Sequence, residues 1–316
     1  MREEVLVSPA AQPRATLLER VPRLKQAASL FRKLVGDKVA LAAAIFLLVL
    51  LFMSVFAPYV APHDPTAQDL MLRLRPPAWN EMGLPEYLLG TDPLGRDVLS
   101  RMIYGSRVSL VVGVAVIAIA CTFGTVVGLI AGYFGGRIDN ILMRIVDLQT
   151  AFPGLLVALA IITMIGPSVR NIIIVLSING WMVFARMMRG TTLTLRTSLF
   201  VDAARCIGAG DNRIIFRHLL PNLASPLITL ATLELARIIL AEAVLSFVGM
   251  GIQPPASSWG LMINEGHAYI TMAWWLVTFP GIAIALTVLS VNLLATWLRA
   301  VTDPMQRDKQ FGPRMR

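Results

Sequence analysis

The sequence predicts an all-α, polytopic membrane protein with six transmembrane helices, and composition, hydropathy and charge placement each point that way. Of 316 residues, 56% are hydrophobic and only 15% charged, against about a quarter charged in an ordinary soluble domain. A helix needs about 20 mainly apolar residues to cross a hydrocarbon layer about 30 Å thick. Six stretches approach that requirement: approximately 39–57, 109–133, 145–165, 171–188, 223–248 and 274–297. If the N-terminus is cytoplasmic and all six cross, the inside segments hold 21 of the 28 Lys and Arg residues and the outside segments hold six. That asymmetry is the positive-inside pattern, with both termini cytoplasmic. A net charge of +9 in a soluble protein would raise nucleic-acid binding; spread over membrane flanks it implies a lipid bilayer and no nucleic acid.

Residues 1–36 form a cytoplasmic N-terminal tail, with Pro9, Pro13 and Pro22 followed by an amphipathic stretch from Leu24 to Val35 that suits a short interfacial helix. The run from Val39 to Ala57 is too long for a signal-peptide core and ends in Ala57-Pro58-Tyr59-Val60, without a small-x-small cleavage site, so it is a retained first span. The transmembrane domain covers 37–308 and includes an external loop at 58–108, where five prolines between Pro58 and Pro77 disfavour long helices. Five of the six outside arginines lie in that loop, and long loops obey the charge rule less strictly.

In the second span, Gly113, Gly124, Gly128 and Gly132 recur, the last three with GxxxG spacing, the pattern of close helix packing. Gly135-Gly136 and Asp139 mark a tight cytoplasmic turn, Pro153 should kink the third span, and Gly166-Pro167-Ser168 marks an outside turn. The fifth span carries Glu234, Arg237 and Glu242. An ionised side chain at mid-bilayer costs about 2.5–3.5 kcal/mol on insertion scales, so this helix should not face lipid. Spacing i,i+3 permits a Glu234–Arg237 ion pair, which either fixes helix packing or lines a substrate path. Trp274-Trp275 suits an outer interfacial anchor, and 309–316 is a cytoplasmic C-terminal tail.

The cytoplasmic segment at 189–222 is patterned as two short helices, which is too much structure for a connector. The first runs from about Ser198 to Ile207 and stops at Gly208-Ala209-Gly210, where glycine permits a left-handed backbone. Asp211 sits where an N-cap belongs, and the second helix runs to about Leu219 before Leu220-Pro221-Asn222 ends it. Ile215 and Leu219 give that helix an apolar face, Arg213 and Arg217 a basic one. Such a glycine-hinged hairpin can seat in a groove of a soluble partner or lie on anionic lipid.

The stretch Phe200-Val201-Asp202-Ala203-Ala204-Arg205-Cys206-Ile207-Gly208, with Ile214 and His218-Leu219-Leu220-Pro221-Asn222, resembles the EAA signature of permease subunits of ATP-binding-cassette importers. Leu89-Gly90-Thr91-Asp92-Pro93-Leu94-Gly95-Arg96-Asp97-Val98-Leu99-Ser100-Arg101, continuing at Tyr104-Gly105-Ser106-Arg107, is similar to the second, C-type permease of the dipeptide, oligopeptide and nickel group. Phe247-Val248-Gly249-Met250-Gly251-Ile252-Gln253-Pro254-Pro255, then Trp259-Gly260, is a third match, and the resemblance spans roughly 35–308. Asp202 replaces the signature's leading Glu, keeping the charge on a shorter arm.

The resemblance implies a type I ABC importer permease fold in a bacterial inner membrane. It implies partnership with a homologous permease as a heterodimer, two ATPase subunits, an extracytoplasmic solute-binding protein and a short peptide as substrate. Asp202, Ala203, Ala204, Gly208, Ile214, Leu220 and Pro221 would dock the hairpin on the ATPase, and Glu234, Arg237 and Glu242 would belong to the translocation pathway. ATP and Mg would be bound by the partner ATPases; no cofactor is expected in this chain, which has no GxxxxGK[ST] loop. No catalytic residues are expected. His63, His218 and His267 are too scattered for a metal site, and Cys121 and Cys206 do not suggest a disulfide framework. Nickel or another small solute is an alternative cargo. A different class, an ion-coupled secondary transporter with Glu234 and Glu242 as ion sites, gives the hairpin no role, and a membrane enzyme lacks its cluster of reactive groups.

Overall fold

The computed structural model describes residue 30 and residues 32–302. Residues 1–29 and 31 of the expected N-terminal tail, and with them seven of the twelve residues of the interfacial helix at 24–35, lie outside the described residues, as does the C-terminal tail at 309–316; residue 30 and residues 32–36 are helical. Among the described residues the fold is helical, with one isolated bridge between Thr91 and Asp97 instead of strands.

Helix α1 (Lys38–Val55) starts at Asp37, whose carboxylate accepts from the Val39 and Ala40 amides at 3.1 Å each, satisfying two of the donors that a helix start leaves free. Between α1 and Val98 the described residues hold a four-residue α2 (Ala57–Val60) and a 3₁₀ turn (Leu70–Leu72), in keeping with the prolines there; the remainder of the expected loop at 58–108 is helical. Helix α3 (Val98–Phe134) is 37 residues long and begins 11 residues before the expected second span. Its first turns carry Arg101, Tyr104 and Arg107, so hydropathy stops short there, while Asp97 caps the true start by accepting from the Ser100 amide at 2.8 Å.

Gly135, at φ 67°, ends α3, and α4 (Gly136–Thr150) follows at once, so the expected cytoplasmic turn is one residue wide. The expected span at 145–165 is not one helix. Pro153 breaks it into α4 and α5 (Gly154–Ile165), bent by 81°: proline cannot donate to the ladder, and the residue before it avoids the helical region. Helix α6 (Val169–Leu195) is capped by the Ser168 hydroxyl, which accepts from the Asn171 amide at 3.1 Å.

The hairpin comprises α7 (Leu199–Cys206), then α8 (Asp211–Arg213), a π-helical turn (Ile214–Leu219) and α9 (Leu220–Phe247) without a break. The expected terminator Leu220-Pro221-Asn222 therefore does not terminate. The wider π turn precedes Pro221, which sits in the first turn of α9, where its missing N–H and bulky ring are tolerated. The expected N-cap also shifts: Gly210 is the cap and Asp211 the first helical residue. A short helix, α10 (Trp259–His267), and a last long helix, α11 (Trp275–Thr302), follow.

Among the described residues four helices, α1, α3, α6 and α11, are long and apolar enough to cross a membrane, or five if the bent α4–α5 pair counts as one span. The sixth expected span is α9, 28 residues long and marked by its three ionisable side chains. Helix α6 is the central one, 56% buried over its span against 22% for α1. It packs backbone-to-backbone on α3: a β-carbon at Gly124, Gly128 or Gly132 would fall 2.3, 2.5 and 2.7 Å from Trp181 O, Ala185 O and Thr192 Cβ. The GxxxG stripe is thus a packing surface. Val112, Val116, Ile162, Ile172 and Ile238 form the mid-level core between α3, α5, α6 and α9, while outward-facing Leu48, Phe123, Ile141, Leu156 and Met164 stay exposed.

Candidate functional site

The hairpin is held to the bundle by a small core. Val201 and Ala204 of α7 pack with Ile214, Leu219 and Leu223 against Leu129, Tyr133 and Met188 in the C-terminal halves of α3 and α6. Polar ties reinforce it. The Tyr133 hydroxyl donates to the Asp211 carboxylate at 2.6 Å, and the Arg205 guanidinium sits 5.9 Å from the Tyr133 ring centroid. Arg196 donates to the carbonyls of Gly132 and Tyr133 at 3.3 and 3.0 Å, clamping the carbonyl end of α3. Below it, Arg189 grips Asp139 with two nitrogens.

The turn closes as the glycine pattern requires. Gly208 has φ 78°, and the amides of Gly208 and Ala209 donate to Arg205 O and Ala204 O at 2.9 and 3.0 Å. The seven residues expected to dock divide in two. Asp202, Ala203, Gly208 and Pro221 are exposed and Leu220 is half-buried, but Ala204 and Ile214 are buried within the hairpin's own core. These two seat the hairpin instead of facing outward. Large apolar side chains on the hairpin are exposed as well: Leu199, Ile207 and Phe216 are 87%, 81% and 63% exposed, and of these the expected docking set includes none. Their signal was readable as apolar side chains out of step with the buried stripe.

On α9, Glu234 and Arg237 do meet, with Glu234 Oε2 at 2.9 Å from Arg237 Nε. Glu242 is apart from them. It is fully buried and accepts from the hydroxyls of Ser109 at 3.0 Å and Ser246 at 2.8 Å, tying α9 to α3. Arg237 alone of the three lines a cavity of about 460 Å³ between α5, α6 and α9.

The external motif folds into a buried charge cluster. Asp92 is paired with Arg96, at 2.6 Å, and with Arg101; both arginines reach Glu265 of α10 at 2.9 and 2.7 Å. Two of the five external-loop arginines are thus consumed by structure. Trp275 is buried as well and donates to the Thr91 carbonyl at 3.3 Å, so of the expected anchor pair only Trp274 is surface-exposed. Nearby, the phenol of Tyr87 is raised above its ordinary pKa, chiefly by desolvation and then by Glu86. No group of three or more potential metal ligands occurs among the described residues.

Residues 124–308 match the family described as binding-protein-dependent transport system inner membrane component, and residues 25–77 match the N-terminal TM domain of oligopeptide transport permease C. The chain is 42% identical to the di/tripeptide transport system permease protein DppC of Pseudomonas aeruginosa, over 85% of this chain and 88% of that one. It is 40% identical to the dipeptide transport system permease protein DppC of Haemophilus influenzae, over 84% and 90%. A chain of the MetNI methionine ABC transporter, in an inward-facing form, superposes with a TM-score of 0.48 at 21% identity, covering 61% of this chain and 94% of that one.

Proposed function

The chain belongs to the inner membrane components of binding-protein-dependent transport systems, and from that premise we propose that it is the C-type permease of an ATP-driven importer of short peptides. It lies in a bacterial inner membrane with both termini in the cytoplasm. A homologous permease pairs with it as a heterodimer, two ATPase subunits bind ATP and Mg beneath the pair, and a solute-binding protein delivers peptide from outside. The names of its relatives support the peptide cargo.

One observation carries the coupling role. The hairpin is fixed to α3 and α6 on one side and presents Leu199, Ile207 and Phe216 on the other. Each large apolar side chain left in water forgoes about 1.5–3 kcal/mol of burial, which a groove on a soluble partner recovers. Allosteric transmission needs an element whose position differs between two states and a partner that binds those states unequally. A helical segment continuous with α9 supports this reading, because a displacement of the hairpin would pass along it into the bundle. The ion-coupled alternative loses support because Glu234 is paired with Arg237 and Glu242 is satisfied by two serines.

The test is co-purification of the tagged chain with its ATPase subunits after solubilisation. Leu199→Asp with Ile207→Asp is expected to lower ATPase recovery at least tenfold while the permease itself stays at normal abundance. Unchanged recovery would place the hairpin on lipid and remove the coupling role.

A further inference from the structure

Arg237 lies roughly 22 Å along α9 from Asn222, at membrane depth. A guanidinium has five N–H donors in a fixed fork. Here the almost fully buried Glu234 pairs with it through charge, Oε2 lying 2.9 Å from Nε without hydrogen-bond geometry. The two terminal nitrogens have no partner among the described residues, and the side chain is 58% exposed. It opens into the 460 Å³ cavity whose other walls are largely apolar, among them Leu155, Ala158 and Val244. Arginine within a span points to the bundle interior or a water-filled cavity and seeks an anionic partner there. The terminal nitrogens of a guanidinium match both oxygens of a carboxylate, which a lysine cannot reproduce. The same wall includes Gly154 and Leu155, the first turn of α5, where Pro153 provides no side-chain cap; that end of the helix adds potential of the same sign.

Resting on the importer reading above, we propose that Arg237 is a carboxylate subsite in the translocation pathway, receiving the C-terminal carboxylate of the passing peptide, with Glu234 as the positioning residue that fixes the fork. A carboxylate donated by the neighbouring permease has the same chemistry, and the experiment separates the two sources.

The complete complex, with both permeases, ATPases and binding protein, is reconstituted in liposomes, and uptake of a labelled dipeptide is compared with uptake of its C-terminal amide. The binding protein is identical in every sample, so a change in the acid-to-amide ratio belongs to the permease. Arg237→Gln is expected to lower that ratio about ten- to a hundredfold, the weight of a charge-assisted hydrogen-bonded pair, through KM for the free acid. Glu234→Gln is expected to lower it less. Equal loss for acid and amide assigns Arg237 to a partner carboxylate and overturns the proposal, as does an unchanged ratio. Should Arg237→Gln fail to assemble, Arg237→Lys decides, since it keeps the charge and loses the fork: a wild-type ratio overturns the proposal. Absence of uptake of either compound by the wild-type complex would instead defeat the importer reading itself.

Discussion

At the scale of single residues, glycines divide sharply by what surrounds them. A β-carbon at Gly128 would lie 2.5 Å from Ala185 O, 2.8 Å from Met188 Cβ and 2.9 Å from Arg189 N, mostly backbone that cannot step aside. At Gly190, on the same helix pair, nothing lies within 4 Å. Gly128→Ala should therefore destabilise the fold by about 1–3 kcal/mol through overpacking. Gly190→Ala should stabilise it by about 0.5–1 kcal/mol, because alanine loses less freedom in a helix. Thermal unfolding in detergent checks both signs, and a higher Tm for Gly128→Ala would contradict the close approach of α3 and α6. Gly128 was legible from its spacing alone. Arg96 and Arg101 were not: their partner Glu265 is more than 160 residues distant, and nothing local distinguishes an arginine paired that far away from one facing water.

At the scale of elements, hydropathy located the middles of the spans and missed their ends. Helix α3 starts 11 residues early under polar cover, although Asp97 directly before the apolar pair Val98-Leu99 was a readable start signal. Pro153 announced a disturbance but not an 81° bend, because packing of the two halves, not the proline, sets the angle. The π turn was hidden for a related reason. Pro221 reads as a stop in isolation, whereas tertiary contacts of Ile214, Ile215 and Leu219 keep the chain helical through it. In the hairpin, Gly208 has φ 78° with open space around its α-carbon, so a substitution there strains backbone without causing a clash. A non-glycine residue in that region costs roughly 1–2 kcal/mol. Gly208→Val should leave abundance near normal and reduce peptide uptake per ATP hydrolysed several-fold in proteoliposomes. An unaltered ratio would mean that the hairpin's shape is not what conveys the stroke.

At the scale of the whole molecule, orientation and internal rigidity matter most. The all-helical membrane plan was readable because composition and charge bias act over tens of residues, although four or five of the six expected spans meet length and apolarity, whereas the cavity around Arg237 depends on three helices meeting and left no mark in the sequence. Orientation has a direct reporter: native Cys206 is exposed on the hairpin, and Met82, 70% exposed, lies in the loop at 58–97. An impermeant thiol reagent should label Met82→Cys in intact cells. Cys206 should react only in inverted vesicles stripped of peripheral proteins. The reverse pattern would turn the protein over in the bilayer. Finally, the glycine seam between α3 and α6 brings backbone and β-carbons within 3 Å of where a side chain would start, over about two turns, so any slide of one helix along the other meets hard-core repulsion at once. These two helices form the keel of the protein, and whatever opens and shuts during a transport cycle must be hung from it: the broken α4–α5 arm, the α9 beam, or the seam with a second subunit.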